Sequence, residues 1–149
     1  MEFFVKAANA SNTSDYGLMV FTTIGQWESR FYAVSKDLTI IKTQNDAEMF
    51  AVLCAVRIAR KLNTQVPITI FTNLDHPKTR FEGASAGKYQ QIANALNVNF
   101  EIKHQLKTDH CRWPMMKAIV ENFVATNFIS DTRDDRFNII QLNVKNYLT

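Results

Sequence analysis

The hydrophobic pattern in the first third of the chain predicts a β-meander. Segments 2–8, 16–23 and 27–35 are rich in β-branched and aromatic residues and carry polar residues between them, as half-buried strands do. A polar turn at 9–14 separates the first two segments, and Ile24-Gly25-Gln26 has the length and the glycine of a hairpin connection. We therefore predict three consecutive antiparallel strands.

The pattern changes after residue 43, and the rest of the chain alternates helices with strands. Apolar residues recur at helical spacing in three segments and in compact or alternating runs in two. Asn45 or Asp46 is placed to cap the first of these helices. The tail, residues 137–148, fits a strand or a helix about equally well. The pattern predicts helices over 45–62, 88–96 and 113–127, and strands over 66–72 and 98–104.

This order of elements predicts an α/β domain in which a mixed sheet carries helices on both faces. A strand-helix-strand unit crosses over right-handed, so the later strands extend the meander as two parallel strands. We place the domain at residues 1–129 and interpret residues 130–149 as a C-terminal tail for docking or interaction. The apolar surface of the tail would be covered by its own domain, by a second copy or by a partner protein.

Composition narrows the class of protein. The chain has 149 residues, of which 46% are hydrophobic, with only 4 Gly and 3 Pro, so we expect one folded core rather than disorder. The two cysteines form neither a disulfide framework nor a C-x-x-C pair. Without a signal-peptide pattern or a membrane-length apolar run, we expect a cytoplasmic protein, inside a host cell if the source is viral. A net charge of +3 permits contact with nucleic acid without requiring it.

One segment resembles a known family. Residues 43–49, TQNDAEM, are similar to the ribonuclease H signature at the start of that family's first helix, where a polar run precedes a metal-binding Glu. Glu48 is the match. The strand at 68–74 resembles the family's strand that ends in Thr-Asp-Ser, with Asn73 in the place of the Asp. The resemblance implies a ribonuclease H-like fold over about residues 2–127 and a cleft that engages nucleic acid.

The resemblance also implies a metal site, which this sequence departs from. In the family, clustered carboxylates hold two Mg²⁺ ions that hydrolyse a phosphodiester. Ala7 or Ala8 stands where the resemblance places the Asp of the first strand, and Asn73 lacks the charge of the second. Asp109 is the nearest match to the carboxylate before the last helix. We therefore expect a degenerate site without a cofactor, formed by Glu48, Asn73, Asp75 and Asp109.

Each of these residues has a structural explanation beside the functional one. A Glu close to a helix start can belong to a capping box, which fits Glu48 as well as a metal site does. Asp75, in Asp-His-Pro after a strand, fits turn chemistry. His104 fits a hydrogen-bonded core residue, and Asp109 fits a cap of the last helix.

Basic and aromatic residues recur after the fourth predicted strand. In relatives of ribonuclease H, a basic protrusion in this region grips the nucleic-acid backbone, and the resemblance implies the same role here. The physical basis would be phosphate neutralisation and packing against sugars. The competing interpretation is a solvated loop and helix face. The residues concerned are Lys78, Arg80, Lys88 and Tyr89.

Three functions stay open at this point. The first is a catalytically degenerate domain that binds RNA, DNA or a hybrid, or a protein partner through residues 137–148. The second is an active Mg²⁺-dependent nuclease that cleaves RNA in RNA–DNA hybrids, with Glu48 and Asp75 as metal ligands and Asp109 nearby. The third is a structural or assembly domain, for example a homodimer through the tail, without affinity for nucleic acid.

Overall fold

The fold is a mixed β-sheet between two helices, which confirms the α/β class. A computed structural model describes residues 1–9, 15–25, 27–34, 41–62, 66–77, 94, 97–126 and 137–141. The sheet has the strand order β5-β4-β1-β2-β3-β6. Strands β1 to β3 pair antiparallel, β4 and β5 extend β1 in parallel, and β6 pairs in parallel with β3. The elements are β1 (Glu2–Asn9), β2 (Tyr16–Ile24), β3 (Trp27–Val34), α1 (Gln44–Lys61), β4 (Ile68–Thr72), β5 (Phe100–His104), α2 (Arg112–Thr126) and β6 (Phe137–Gln141).

Alternation along β1 divides the hydrophobic core into two layers. Phe3, Val5 and Ala7 belong to the layer that contains the buried face of α1. Phe4 and Ala8 belong to the layer on the opposite face of the sheet, which is closed by α2. Because successive side chains of a strand point to opposite faces, the two helices cover both faces of the sheet. This arrangement was predicted from the order of elements.

Helix α1 begins with a capping box that the sequence analysis did not assign. The Thr43 side chain accepts a hydrogen bond from the Asp46 N–H at 3.1 Å, and Asp46 Oδ2 accepts from the Thr43 N–H at 3.2 Å. The prediction of Asn45 or Asp46 as the N-cap is therefore wrong, because Thr43 is the N-cap and its hydroxyl accepts from the Asp46 N–H, one of the free N–H groups of the first turn. Glu48 lies in the second turn of α1 and does not take part in the capping box.

The segment that the sequence left open between strand and helix begins as a strand. Strand β6 lies beside β3, so this part of the tail docks on its own sheet. Residues 142–149 lie outside the described part of the chain, as does the predicted helix over 88–96 except for Asn94. The division of the chain at residue 129 stays a prediction. No helix of the described residues is long and apolar enough to cross a membrane.

Helix α2 approaches the sheet closely because the residues beneath it are small. Gly17 on β2 pairs with Ala8 on β1 under the helix. A Cβ atom at Gly17 would press against Val124 Cγ2 and lie 2.9 Å from Val120 Cγ1. The absence of a side chain at Gly17 therefore sets how near α2 lies to the sheet.

We expect Gly17→Ala to lower the free energy of unfolding by about 1–3 kcal/mol, because the added methyl group overpacks this contact. Urea denaturation measures the loss. Val124→Ala in the same chain should recover part of it, although Val124→Ala alone destabilises the protein by leaving a cavity. A Gly17→Ala variant as stable as the wild type would show that α2 can move away from the sheet freely.

Candidate functional site

A cleft opens at the carboxyl ends of the parallel strands, next to the start of α1. Its volume is about 410 Å³. The ladder between β1 and β4 ends at the pair Phe4 and Phe71, although β1 continues to Asn9. Beyond that pair, side chains rather than backbone hydrogen bonds connect the two strands. Open α/β sheets bind ligands at the carboxyl ends of such strands.

The Lys6 ammonium lies at the floor of this cleft between two oxygen atoms. Its Nζ donates to Glu48 Oε1 at 3.2 Å and to Asn73 Oδ1 at 3.0 Å. The side chains of Lys6 and Glu48 are each 4% exposed, so water screens their attraction little. Lysine and glutamate are almost never buried to this degree unless they are paired.

The first two turns of α1 hold the Glu48 carboxylate against β1. Glu48 Oε1 also accepts from the Ala7 N–H at 3.2 Å and from Gln44 Nε2 at 3.1 Å. Gln44 lies one turn before Glu48, and its Nε2 donates to Ala7 O at 2.6 Å as well. These bonds fasten the start of α1 to the middle of β1, which places Glu48 at the cleft rather than over the apolar core.

Asn73 extends the polar network from the cleft floor to the second helix. Its Nδ2 donates to the backbone oxygen of Gln105, the residue after β5, at 2.9 Å. Gln105 Oε1 in turn accepts from Nε1 of the buried Trp113 at 3.1 Å. The network therefore joins α1, β1, β4, the end of β5 and α2.

The charge of Glu48 depends on its neighbours. Burial raises the pKa of the Glu48 carboxyl above its ordinary value of 4.5, while the Lys6 ammonium and the hydrogen bonds from Ala7, Lys6 and Gln44 oppose this rise. Glu48 Oε2 is buried and has no hydrogen-bond partner among the described residues. Without the Lys6 cation, a negative charge on Glu48 would be strongly disfavoured.

The structure brings together two of the four predicted catalytic residues. Glu48 and Asn73 both bind Lys6. Asp75 lies at the rim with a 75% exposed side chain, and its Oδ1 is 3.7 Å from His104 Nε2. Asp109 Oδ2 accepts from the Leu106 N–H at 2.7 Å and so closes the turn between β5 and α2. Neither Asp75 nor Asp109 has a hydrogen bond to Glu48 among those described.

Three structural explanations from the sequence need correction. Glu48 is not a capping residue, because its carboxylate bonds Lys6 and β1. His104 is exposed rather than buried in the core, and its Nδ1 bonds Leu74 O at 2.9 Å. Asp109 does not cap α2; the Arg112 N–H at the start of that helix donates to His110 Nδ1 at 3.0 Å.

Lys6 is the functional residue that the sequence reasoning missed. The place of the family's first-strand Asp was assigned to Ala7 or Ala8, but these side chains pack in the two hydrophobic layers. The side chain of β1 that reaches Glu48 and Asn73 is that of Lys6. The sequence feature that could have indicated Lys6 is its place as the single cation inside the apolar run FFVKAA, in a strand predicted to be covered by helices on both faces. A cation at such a place needs a buried counter-ion.

The described residues do not fit the divalent ions that the resemblance implies. No group of three or more His, Cys, Asp or Glu side chains in the described part of the chain could hold a metal. Mg²⁺ takes oxygen ligands at about 2.0–2.1 Å and usually includes carboxylates among them. The cleft floor offers one carboxylate, Glu48, already bonded to an ammonium, and one amide oxygen of Asn73.

The predicted nucleic-acid contacts fall on another part of the chain. Lys78, Arg80, Lys88 and Tyr89 all lie outside the described residues. Within the described part, Lys107 lines the cleft and is exposed, in the turn that Asp109 closes. The cleft rim therefore carries an exposed cation, Lys107, and an exposed carboxylate, Asp75, while the cleft floor holds the paired Lys6 and Glu48.

We expect Lys6→Met to lower the free energy of unfolding at pH 7 by about 3–5 kcal/mol, because Glu48 loses its buried counter-ion. With its folded-state pKa raised further, Glu48 binds a proton more readily in the folded than in the unfolded protein. Stability should therefore rise as the pH falls towards 4.5, by about 1.4 kcal/mol per pH unit. Denaturation at a series of pH values measures this slope.

The matched control is the double variant Lys6→Met with Glu48→Gln, which removes both charges. It should be more stable than Lys6→Met at pH 7, and the difference between the two variants should shrink as the pH is lowered. A difference that does not change with pH would show that the charge of Glu48 is not what Lys6 compensates.

Comparison with known proteins gives the fold. No model of a protein family and no curated protein matches the sequence. Two similar solved structures are of foamy viral protease-reverse transcriptase, one in complex with RNA/DNA hybrid and one with dsDNA. Both are 18% identical over 85% of this chain, with TM-scores of 0.55 and 0.50. The match spans 20% of the first chain and 93% of the second. Together with the order of elements, this likeness fits a ribonuclease H-like fold.

Proposed function

We propose that this chain is a ribonuclease H-like domain that binds nucleic acid without hydrolysing it. The observation that carries the proposal is the Lys6 ammonium bonded to both Glu48 and Asn73. Two-metal hydrolysis needs ions that activate a water molecule and stabilise the leaving oxygen. A buried ammonium with its donors directed at a carboxylate and an amide does neither.

The floor of the cleft does not repel a polyanionic ligand. An unpaired carboxylate at the floor would repel phosphates, but the Lys6 charge neutralises Glu48. At the rim, the exposed Lys107 cation balances the exposed Asp75 carboxylate, and the N-terminal end of α1 contributes the positive end of its dipole. Contacts of this kind bind phosphates without reading a base sequence.

A nucleic-acid duplex is the class of ligand that the fold and the sequence favour. The similar structures hold RNA/DNA hybrid and dsDNA, so a duplex is the first ligand to test. Lys78 and Arg80 follow the end of β4 by six and eight residues in the sequence. We propose that Lys78, Arg80 and Lys88 neutralise phosphates of the ligand and that Tyr89 packs against a sugar.

We expect the protein to bind a fluorescently labelled RNA–DNA hybrid in EDTA, with an affinity that falls as salt is raised. Lys78→Ala with Arg80→Ala should weaken binding about tenfold or more and reduce the slope of log K against log salt by about 0.9 per lost phosphate contact. Fluorescence anisotropy measures both.

The matched control is Arg60→Ala with Lys61→Ala, which removes two charges at the end of α1 away from the cleft. Its affinity should stay close to that of the wild type. Absence of binding to hybrid, dsDNA and single-stranded RNA at about 50 mM salt would contradict the proposal and favour a structural domain.

We also expect no cleavage of the RNA strand of a hybrid in Mg²⁺ or Mn²⁺, measured on denaturing gels over hours. A trace activity that persists in Glu48→Ala would come from a contaminating nuclease. Cleavage that Glu48→Ala abolishes would instead identify an active enzyme and overturn the binding-only proposal.

A further inference from the structure

We infer that Lys6 is a built-in cation that takes the place of a divalent ion at Glu48 and excludes such an ion from the cleft. This deepens the proposed function, since both require a metal-free cleft. It concerns the free protein, so it can be tested without nucleic acid.

One oxygen of the Glu48 carboxylate, Oε1, is already surrounded by hydrogen-bond donors of the protein. Glu48 Oε1 accepts from Lys6 Nζ, from the Ala7 N–H and from Gln44 Nε2, at 3.2, 3.2 and 3.1 Å. Three donors already surround this atom. The other oxygen, Oε2, is buried away from solvent and so is not presented to an ion in the cleft.

The hydrogen-bond network also fixes the orientation of the Asn73 amide towards Lys6. The backbone oxygen of Gln105 can only accept a hydrogen bond, so it must face Asn73 Nδ2, which lies 2.9 Å away. Asn73 Oδ1 is thereby turned to Lys6 Nζ at 3.0 Å. Because Trp113 in turn donates to the Gln105 side chain, packing of α2 supports this orientation.

Electrostatic repulsion also opposes a divalent ion at Glu48. A divalent ion that approached Glu48 would meet the Lys6 ammonium, whose Nζ lies 3.2 Å from Glu48 Oε1. Like charges at such a separation in a poorly solvated site repel strongly. To enter, the ion would have to displace Lys6 from Glu48 and Asn73, and the ammonium would lose both hydrogen bonds.

The inference predicts that a reversal of charge creates a cation site. Lys6→Asp with Asn73→Asp would leave three carboxyl groups, those two and Glu48, at the floor of the cleft. Carboxylates forced together in this way repel one another unless a cation joins them. The double variant should therefore be destabilised in EDTA and stabilised by Mn²⁺, because Mn²⁺ would bind only its folded state.

The experiment compares Mn²⁺ binding to the wild type and to the double variant, by isothermal titration and by thermal unfolding in EDTA and in Mn²⁺. We expect the double variant to bind Mn²⁺ at least tenfold more tightly than the wild type and to show a rise in Tm that the wild type lacks. Adding Glu48→Gln to the double variant should remove most of this gain. A double variant that folds but binds no more Mn²⁺ than the wild type overturns the inference.

A measurement on the wild type keeps the test decisive if the double variant does not fold. Mn²⁺ broadens the NMR signals of nuclei near its binding site, and we expect no selective broadening at Lys6, Ala7 or Asn73. Broadening there that disappears in Glu48→Gln would overturn the inference; its absence supports it. Binding of the hybrid in EDTA is scored separately, so failure of this inference and failure of nucleic-acid binding remain distinguishable.

Discussion

The buried contact between Lys6 and Glu48 constrains how the elements of this domain are arranged. Ion pairs of this kind add little net stability, because desolvation offsets much of the attraction, yet the loss of one partner is severe. The pair therefore acts mainly on specificity. A slip of β1 by one residue would move Lys6 and Ala7 by about 3.3 Å along the strand and break their hydrogen bonds to Glu48 Oε1. The pairing of one lysine with one helix turn thus helps to fix the register of β1 against α1.

The same network determines what the cleft presents to a ligand. Three hydrogen bonds hold Gln105. Its N–H donates to Thr72 O at 2.9 Å, its backbone oxygen accepts from Asn73 Nδ2, and its Oε1 accepts from Trp113 Nε1. Asp109 closes the turn that follows. Lys107 therefore projects from a short segment that is fastened at both ends, so its cation meets a ligand with little loss of backbone entropy. The internal bonds of the floor leave the exposed rim as the place for binding.

Hydrophobic periodicity was enough to predict the principal elements but not the polar contacts between them. The predicted helices at 45–62 and 113–127 correspond to α1 (Gln44–Lys61) and α2 (Arg112–Thr126). Both β4 and β5 begin two residues later than predicted, since hydrophobicity does not decide whether a residue pairs; Val66 is 57% exposed. Which side chains meet at the cleft depends on where the ladder between β1 and β4 ends. That end point is a tertiary feature, and a single sequence does not encode it in any local pattern.

In the segment 43–49 that resembles a ribonuclease H signature, Glu48 has a structural role as the counter-ion of the buried Lys6. Glu48 would be expensive to bury alone, and Lys6 would be equally expensive without Glu48. Each residue accounts for the presence of the other, and Gln44 completes the set by bonding both Glu48 and Ala7 O. A carboxylate in a segment that resembles a catalytic signature is therefore weak evidence for an enzyme until the counter-ion of that carboxylate is known. In this chain the counter-ion of Glu48 is Lys6, a side chain of the protein itself, and the proposal of binding without hydrolysis rests on that contact.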